Sequence, residues 1–275
     1  MDARSTSPSA LYAALGTARA PAILDVRRDP AFEADELMIV GVLRRSPDEV
    51  AFWAAGLPPN GPIVAYCVHG HEISQGVVQA LRSAGIPATF LDGGIAGWRE
   101  QGLPTRRRQP TQARCWVTRE HPKIDRIACP WLIRRFIEPE AAFVYVPADQ
   151  VFVVAAETGA VPYDIPGSEP FSHDGELCSF DTILRHYGIH DAALDRLALI
   201  VRGADTARPD LASEAAGLHA ISLGLSANFS DDHAMLAQGL VIYDALYTWC
   251  RDLKGELHNW TQPVDAPAAE PASML

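Results

Sequence analysis

Apolar positions in the first hundred residues come in short runs separated by stretches of helical period. Residues 22–26, Ile63–Tyr66 and Ala88–Leu91 are compact and largely apolar, the pattern of strands covered on both faces. Residues 11–15 and 50–55 predict short helices, and Val77, Val78, Leu81 and Ala84 recur at the three- and four-residue steps of an amphipathic one. Pro58-Pro59-Asn60-Gly61 is a turn cluster between them. Strands alternating with helices over short links predict a parallel sheet, and ligands gather at the carboxyl ends of such strands. Cys67 stands at one of those ends.

The segment around that cysteine reads Ile63-Val-Ala-Tyr-Cys67-Val-His-Gly-His-Glu72-Ile-Ser74. A strand, a cysteine, a tight loop and a helix start form an anion site, because free backbone N–H groups and the positive end of the helix dipole favour a thiolate there. A lone cysteine after a strand is more often a buried small hydrophobe. Here Gly70 permits a bend, and His69 and His71 add polar groups with little reason to enter an apolar core. A phosphatase loop needs an arginine six residues after the cysteine to clamp phosphoryl oxygens, and that position is Ile73.

Further motifs accompany the loop: Leu24-Asp25-Val26-Arg27 upstream, then Gly85-Ile-Pro87, Asp92-Gly-Gly-Ile-Ala-Gly-Trp98 and Gln101-Gly-Leu-Pro104. In this order they resemble a rhodanese domain, the sulfurtransferase module, over residues 8–105. The resemblance implies that Cys67 takes sulfur from a donor as a persulfide. It also implies that the loop of Val68, His69, Gly70, His71, Glu72 and Ile73 cradles that sulfur, with Asp25 close by. Members that use thiosulfate commonly carry an arginine in this loop. Here none is present, and Glu72 would repel an anionic donor. No cofactor is required for such chemistry; its partners are a small sulfur donor and a thiol acceptor. Arg27, Arg28, Arg44 and Arg45 are expected on a solvated face.

At 275 residues, with 48% hydrophobic and 21% charged content, the chain can bury more than one core. No apolar stretch approaches the length of a membrane span, which with the absence of a leader pattern predicts a cytoplasmic protein. Five cysteines without a CxxC pair are expected to be reduced. Charge divides the chain. Up to residue 114 twelve basic residues face eleven acidic ones, leaving eleven against twenty-three beyond it, so the net charge of −11 belongs to the second half. Such acidity argues against a nucleic-acid face.

Residues 106–114, rich in arginine and proline, are expected to link the two parts, and the Pro/Ala-rich residues 261–275 to be a disordered tail. The second domain, 115–260, is expected to be a mostly helical α+β unit. It has strands at residues 115–118 and 142–146, a helix around Ile124, Ile127, Ala128, Trp131 and Leu132 with Pro122 in its first turn and a bend at Pro130, and further helices from Ser179 onward. Tyr243, Leu246, Tyr247 and Cys250 form a stripe at helical spacing, and Cys129, Cys178 and Cys250 are expected as packing residues.

Four separated motifs, Lys123-Ile-Asp-Arg-Ile-Ala-Cys-Pro-Trp-Leu-Ile-Arg134, Gly175-Glu-Leu-Cys-Ser-Phe-Asp181, Arg202-Gly-Ala-Asp-Thr206 and Asp231-Asp-His233, resemble the C-terminal domain of ChrB-type chromate-resistance proteins. Three readings of this half stay open. His121, Asp125, His173, Glu176, Cys178, Asp205 and His233 offer metal ligands, of which Asp125, His173 and His233 are the best candidates for a divalent ion. Arg119 and Arg126, with His173, could instead hold an oxyanion such as chromate. In the third, Asp125 pairs with an arginine and the histidines satisfy structural roles. The chain is thus read as a sulfurtransferase linked to chromate or metal stress, with a metal- or oxyanion-binding sensor on an inactive rhodanese platform as the alternative.

Overall fold

The computed structural model describes residues 5–57, 61–109, 114–253 and 255. The turn at 58–60, most of the second part of the linker, and the tail expected at 261–275 lie outside the described residues.

The first half is a five-stranded, wholly parallel sheet. Its strands are β1 (Ser5–Thr6), β2 (Ala22–Asp25), β4 (Val42–Arg44), β5 (Ile63–Tyr66) and β6 (Ala88–Leu91), in the order β1-β6-β5-β2-β4. The four residues of β5 are all buried, because helices cover both faces of the sheet. On one side α4 (Glu72–Ser83) lays Val77, Val78 and Leu81 against Leu24, Ile63 and Ala65. On the other lie α1 (Pro8–Ala14) and α5 (Gly94–Glu100). Short α2 (Asp29–Glu33) and α3 (Val50–Trp53) fill the links, and β3 (Leu37–Ile39) pairs antiparallel with β7 (Thr105–Arg107).

In the second half a three-stranded parallel sheet has the order β10-β8-β9, formed by β8 (Cys115–Arg119), β9 (Ala142–Val146) and β10 (Val161–Pro162). Helices α6 (Asp125–Leu132), α7 (Val151–Thr158), α8 (Ser179–Tyr187), α9 (Ala192–Asp205), α10 (Ala215–Asn228) and α11 (Asp232–Thr248) complete it. Pro122 precedes α6 rather than opening it, since Ile124 holds a left-handed φ of 39° just before the helix. Pro130 removes the N–H that would reach the Arg126 carbonyl. The hydroxyls of Tyr145 and Tyr163 donate to that carbonyl instead, each at 3.4 Å, and α6 runs on into a π-helical turn, Ile133–Ile137. Cys129, Cys178 and Cys250 are buried, at 0, 0 and 2% exposure, as packing residues should be.

One apolar cluster crosses between the halves. Leu11, Leu15, Met38, Ile39 and Trp98 pack with Trp131, Phe136, Tyr243 and Tyr247. Polar contacts run along the same seam. Tyr12 donates to Asp191 at 2.5 Å, the amide of Gly41 to the Phe136 carbonyl at 2.7 Å, and the amide of Ala18 to Asp244 at 3.1 Å. Arg251 donates to the carbonyls of Tyr12 and Leu15.

Candidate functional site

Cys67 follows directly on β5, and α4 begins five residues later. Gly70, at φ +73°, turns the intervening loop back on itself. Two amides of α5 hold the loop from behind, Ile95 N–H donating to the Cys67 carbonyl and Ala96 N–H to the Val68 carbonyl, both at 3.0 Å. Ser74 lies one turn into the helix with its Oγ 3.3 Å from Cys67 Sγ.

Burial alone would push the Cys67 thiol up. The Ser74 hydroxyl and the backbone N–H groups of Ser74, His71 and His69 outweigh it, leaving the thiol below its ordinary value. Alkylation of Cys67 is therefore expected to persist to lower pH than that of a free cysteine with pKa about 8.5. The thiolate fraction falls only as pH drops through the lowered pKa. Ser74→Ala should move the midpoint of the rate–pH profile upward, and an unchanged midpoint would exclude the hydroxyl as a stabiliser.

The cleft in front of the sulfur is lined by Val68, His69, His71, Glu72 and Ile73 of the loop and by Arg27, Arg28 and Ala31. Two expectations change here. Asp25 is fully buried and does not face the cleft; its carboxylate accepts from Arg27, at 2.6 Å, and from the Tyr66 hydroxyl, at 2.9 Å. Arg27 in turn is only 1% exposed rather than part of a solvated face, with a second bond to Asp35 at 3.0 Å. A cation two residues after a carboxylate can be buried because the pair shares its desolvation cost. Asp25 and Asp35 hold Arg27 and between them offset its charge.

A second constellation forms where β8 and β10 end and α6 and α8 begin. Arg119 closes β8, Asp164 follows β10 at φ +51°, Asp125 opens α6 and Asp205 closes α9. His173, on the loop before α8, reaches over them. Its Nε2 lies 3.2 Å from Asp205 Oδ2, 3.5 Å from Asp164 Oδ1 and 3.7 Å from Asp125 Oδ2. Ser179, at the start of α8, donates its amide to Asp125 Oδ2 at 2.6 Å and its hydroxyl to Asp164 Oδ1 at 2.7 Å.

The backbone before Asp125 is pinned from both sides, since Ile124 N–H donates to Ser222 Oγ at 2.9 Å and its carbonyl accepts from Tyr243 at 3.0 Å. Positive φ at a β-branched residue is strained and persists only under such restraint. Burial, then the charges of Asp205 and Asp164, push the Asp125 carboxyl well above its usual range. Hydrogen bonds to Asp164 and Asp205 raise His173 to about 10 against the opposing effect of burial.

Of the metal candidates expected from sequence, Asp125 and His173 are thus brought together, and Asp164 stands where His233 was expected. The His233 ring packs edge-on to Tyr145, centroids 5.5 Å apart. Arg119 and Arg126 do meet, but on a carboxylate. They come from a strand end and a helix start and converge on Asp164 Oδ2, at 3.3 and 3.5 Å, so a carboxylate already occupies the place of the expected oxyanion. Asp164 escaped the sequence reading; its only signal was an aspartate just past a short apolar segment, where a parallel strand ends. Three of the four motifs of the second half deliver residues here: the first Asp125 and Arg126, the second Ser179 and the third Asp205. The fourth sends Asp232 to accept from the His121 amide at 3.2 Å.

Comparisons with known proteins agree with this division. Residues 7–101 match the rhodanese-like domain family, and residues 116–250 match the ChrB C-terminal domain family. Protein ChrB of Cupriavidus metallidurans is 37% identical over 158 residues, which cover 56% of this chain and 45% of that protein. The chain thus spans less than half of that relative's length. Among solved structures, a rhodanese-related protein of Thermoplasma volcanium is 27% identical, covers 37% of this chain and 96% of its own, and has a TM-score of 0.33. A rhodanese-like domain protein of Staphylococcus aureus is 25% identical, covers 34% and 90%, and has a TM-score of 0.31.

Proposed function

We propose that this chain, a rhodanese-like domain joined to a ChrB C-terminal domain, is a chromate-resistance-related protein that carries sulfane sulfur on Cys67. The observation that supports this reading most directly is the set of donors around one sulfur. The Ser74 hydroxyl and the amides of His69, His71 and Ser74 favour its anion, both as a thiolate and as the persulfide formed from it.

The chemistry has two steps. The Cys67 thiolate attacks the outer sulfur of a persulfide or of thiosulfate; the donor's S–S bond breaks and its electron pair leaves on the donor thiolate or on sulfite. An acceptor thiolate then attacks the outer sulfur of the Cys67 persulfide, forming an acceptor persulfide and returning the Cys67 thiolate. Arg28 at the cleft offsets the charge of Glu72 toward an anionic donor, and Glu72 favours the less charged low-molecular-weight persulfides over thiosulfate. Among the described residues no helix is long and apolar enough to cross a membrane.

Intact mass of the reduced protein, after incubation with thiosulfate or a small persulfide, tests the proposal. One added sulfur atom, removed by dithiothreitol and absent from Cys67→Ala, is the expected result. No gain with either donor, or an equal gain in the variant, would overturn it.

A further inference from the structure

Sulfur transfer at Cys67 makes no use of the constellation in the second half. We propose that Asp125, Asp164 and His173 bind a divalent first-row metal cation, with Asp205 bonded to His173 behind them. Three observations carry this.

The first is spacing. Ligand atoms around a cation with bonds of about 2.1 Å sit roughly 3.0–3.5 Å from one another. The imidazole nitrogen of His173 lies 3.5 Å from an Asp164 oxygen and 3.7 Å from an Asp125 oxygen, and donor atoms of these three residues all fall within 4.8 Å of one another. Asp205, 3.2 Å from the same nitrogen, stands outside that group and orients the ring.

The second is an orphaned atom. Asp125 is fully buried, and its Oδ1 has no hydrogen-bond partner among the described residues. A buried carboxylate oxygen without a donor is costly. The competing arrangement makes His173 itself the cation among the carboxylates, and it leaves this oxygen unsatisfied. A bound cation would satisfy it.

The third is the support behind the ligands. Ser179 fixes one oxygen of Asp125 and one of Asp164, while Arg119 and Arg126 hold the other oxygen of Asp164. Metal-ligating carboxylates are oriented by outer hydrogen bonds of this kind. Burial is graded in the sense a site needs. Asp125 is closed off, whereas the His173 side chain is 43% exposed and stands on the solvent side as a route in. Two carboxylates with one imidazole nitrogen select Mn²⁺, Fe²⁺ or Zn²⁺; the set has no thiolate for Cu⁺ and includes a nitrogen that Ca²⁺ does not favour.

The test is equilibrium dialysis of the chelator-treated full-length protein against Mn²⁺ and, separately, Zn²⁺, followed by elemental analysis. One equivalent of at least one ion is expected. His173→Gln and Asp205→Asn should each weaken binding about tenfold or more, while His233→Gln and Cys67→Ala leave it unchanged. His173 is half exposed, so its variant keeps the fold, and thermal unfolding verifies that. Absence of stoichiometric uptake of either ion, or uptake unaltered in folded His173→Gln, would overturn the proposal. Neither outcome bears on sulfur loading at Cys67.

Discussion

Gly94→Ala is expected to destabilise the protein by about 3 kcal/mol and to abolish sulfur loading at Cys67. Gly94 has φ +58°, and a Cβ there would sit 2.4 Å from the Cys67 carbonyl oxygen, 2.6 Å from the Val68 carbonyl oxygen and 2.6 Å from the Gly70 amide nitrogen. All three atoms are backbone, so no side-chain rotation relieves the clash. The left-handed conformation costs about 1–2 kcal/mol for a residue with a Cβ, and forcing a methyl into packed surroundings costs about 1–3 kcal/mol more. The atoms that must retreat belong to the loop that aims amides at the sulfur. Its displacement should return the thiol toward ordinary reactivity as well as lower stability. Urea unfolding and intact mass after persulfide treatment measure the two effects. Gly76→Ala is the control: nothing lies within 4 Å of a Cβ there, the site is inside α4, and alanine should be neutral or slightly stabilising. Equal stability of the two variants would mean that α5 does not press on the loop.

A second large effect is expected at Trp131. Its ring is fully buried against Phe136, Tyr247, Tyr243 and Phe180, at centroid distances of 5.4, 5.6, 6.2 and 6.4 Å. Its Nε1 donates to Asp244 Oδ1 at 2.8 Å, and Asp244 also accepts from Arg135 and from the amide of Ala18 in the first half. Trp131→Ala should cost about 3–5 kcal/mol. The loss should not stay local, because this cluster runs into Leu11, Leu15 and Trp98. Tryptophan fluorescence and the accessibility of the Cys67 thiol should report one shared transition, shifted together to lower denaturant. Two transitions, with only the second half shifted, would show that the cores are separable.

Much of the first half was legible because its signals are local. The apolar run of β5, the helical period of Val77, Val78 and Leu81, and the loop between them lie within one stretch of chain. Cys67 could be placed at a strand end without knowing what else surrounds it. Arg27 was misread because an arginine beside Arg28 carries no mark of burial; only the side-chain geometry reveals that Asp25, Asp35 and Tyr66 enclose it. The second site was harder for the same reason at longer range. Asp125, Asp164, His173 and Asp205 come from four connections, and no spacing rule relates them. Their convergence follows from a parallel sheet whose strand ends and helix starts point to one side, which the short segment of β10 barely announces. Arg119 and Arg126 converge as an oxyanion pair would, but on Asp164, a partner more than thirty residues on that no local spacing announces.

The seam between the halves has a consequence for how the chain is made. Arg251, which donates to the carbonyls of Tyr12 and Leu15 at 3.1 and 3.0 Å, lies 239 residues after Tyr12. At translation speeds of about 5–20 residues per second, α1 would wait roughly 10–50 s on the ribosome before that partner is synthesised. Throughout that interval Leu11, in α1, and Leu15, just after it, can pack on the sheet of their own half but lack the part of the cluster that the second half supplies. A nascent chain of this protein therefore leaves the seam side of its first half open for most of the synthesis of the second, and chaperone occupancy during that interval should be concentrated there.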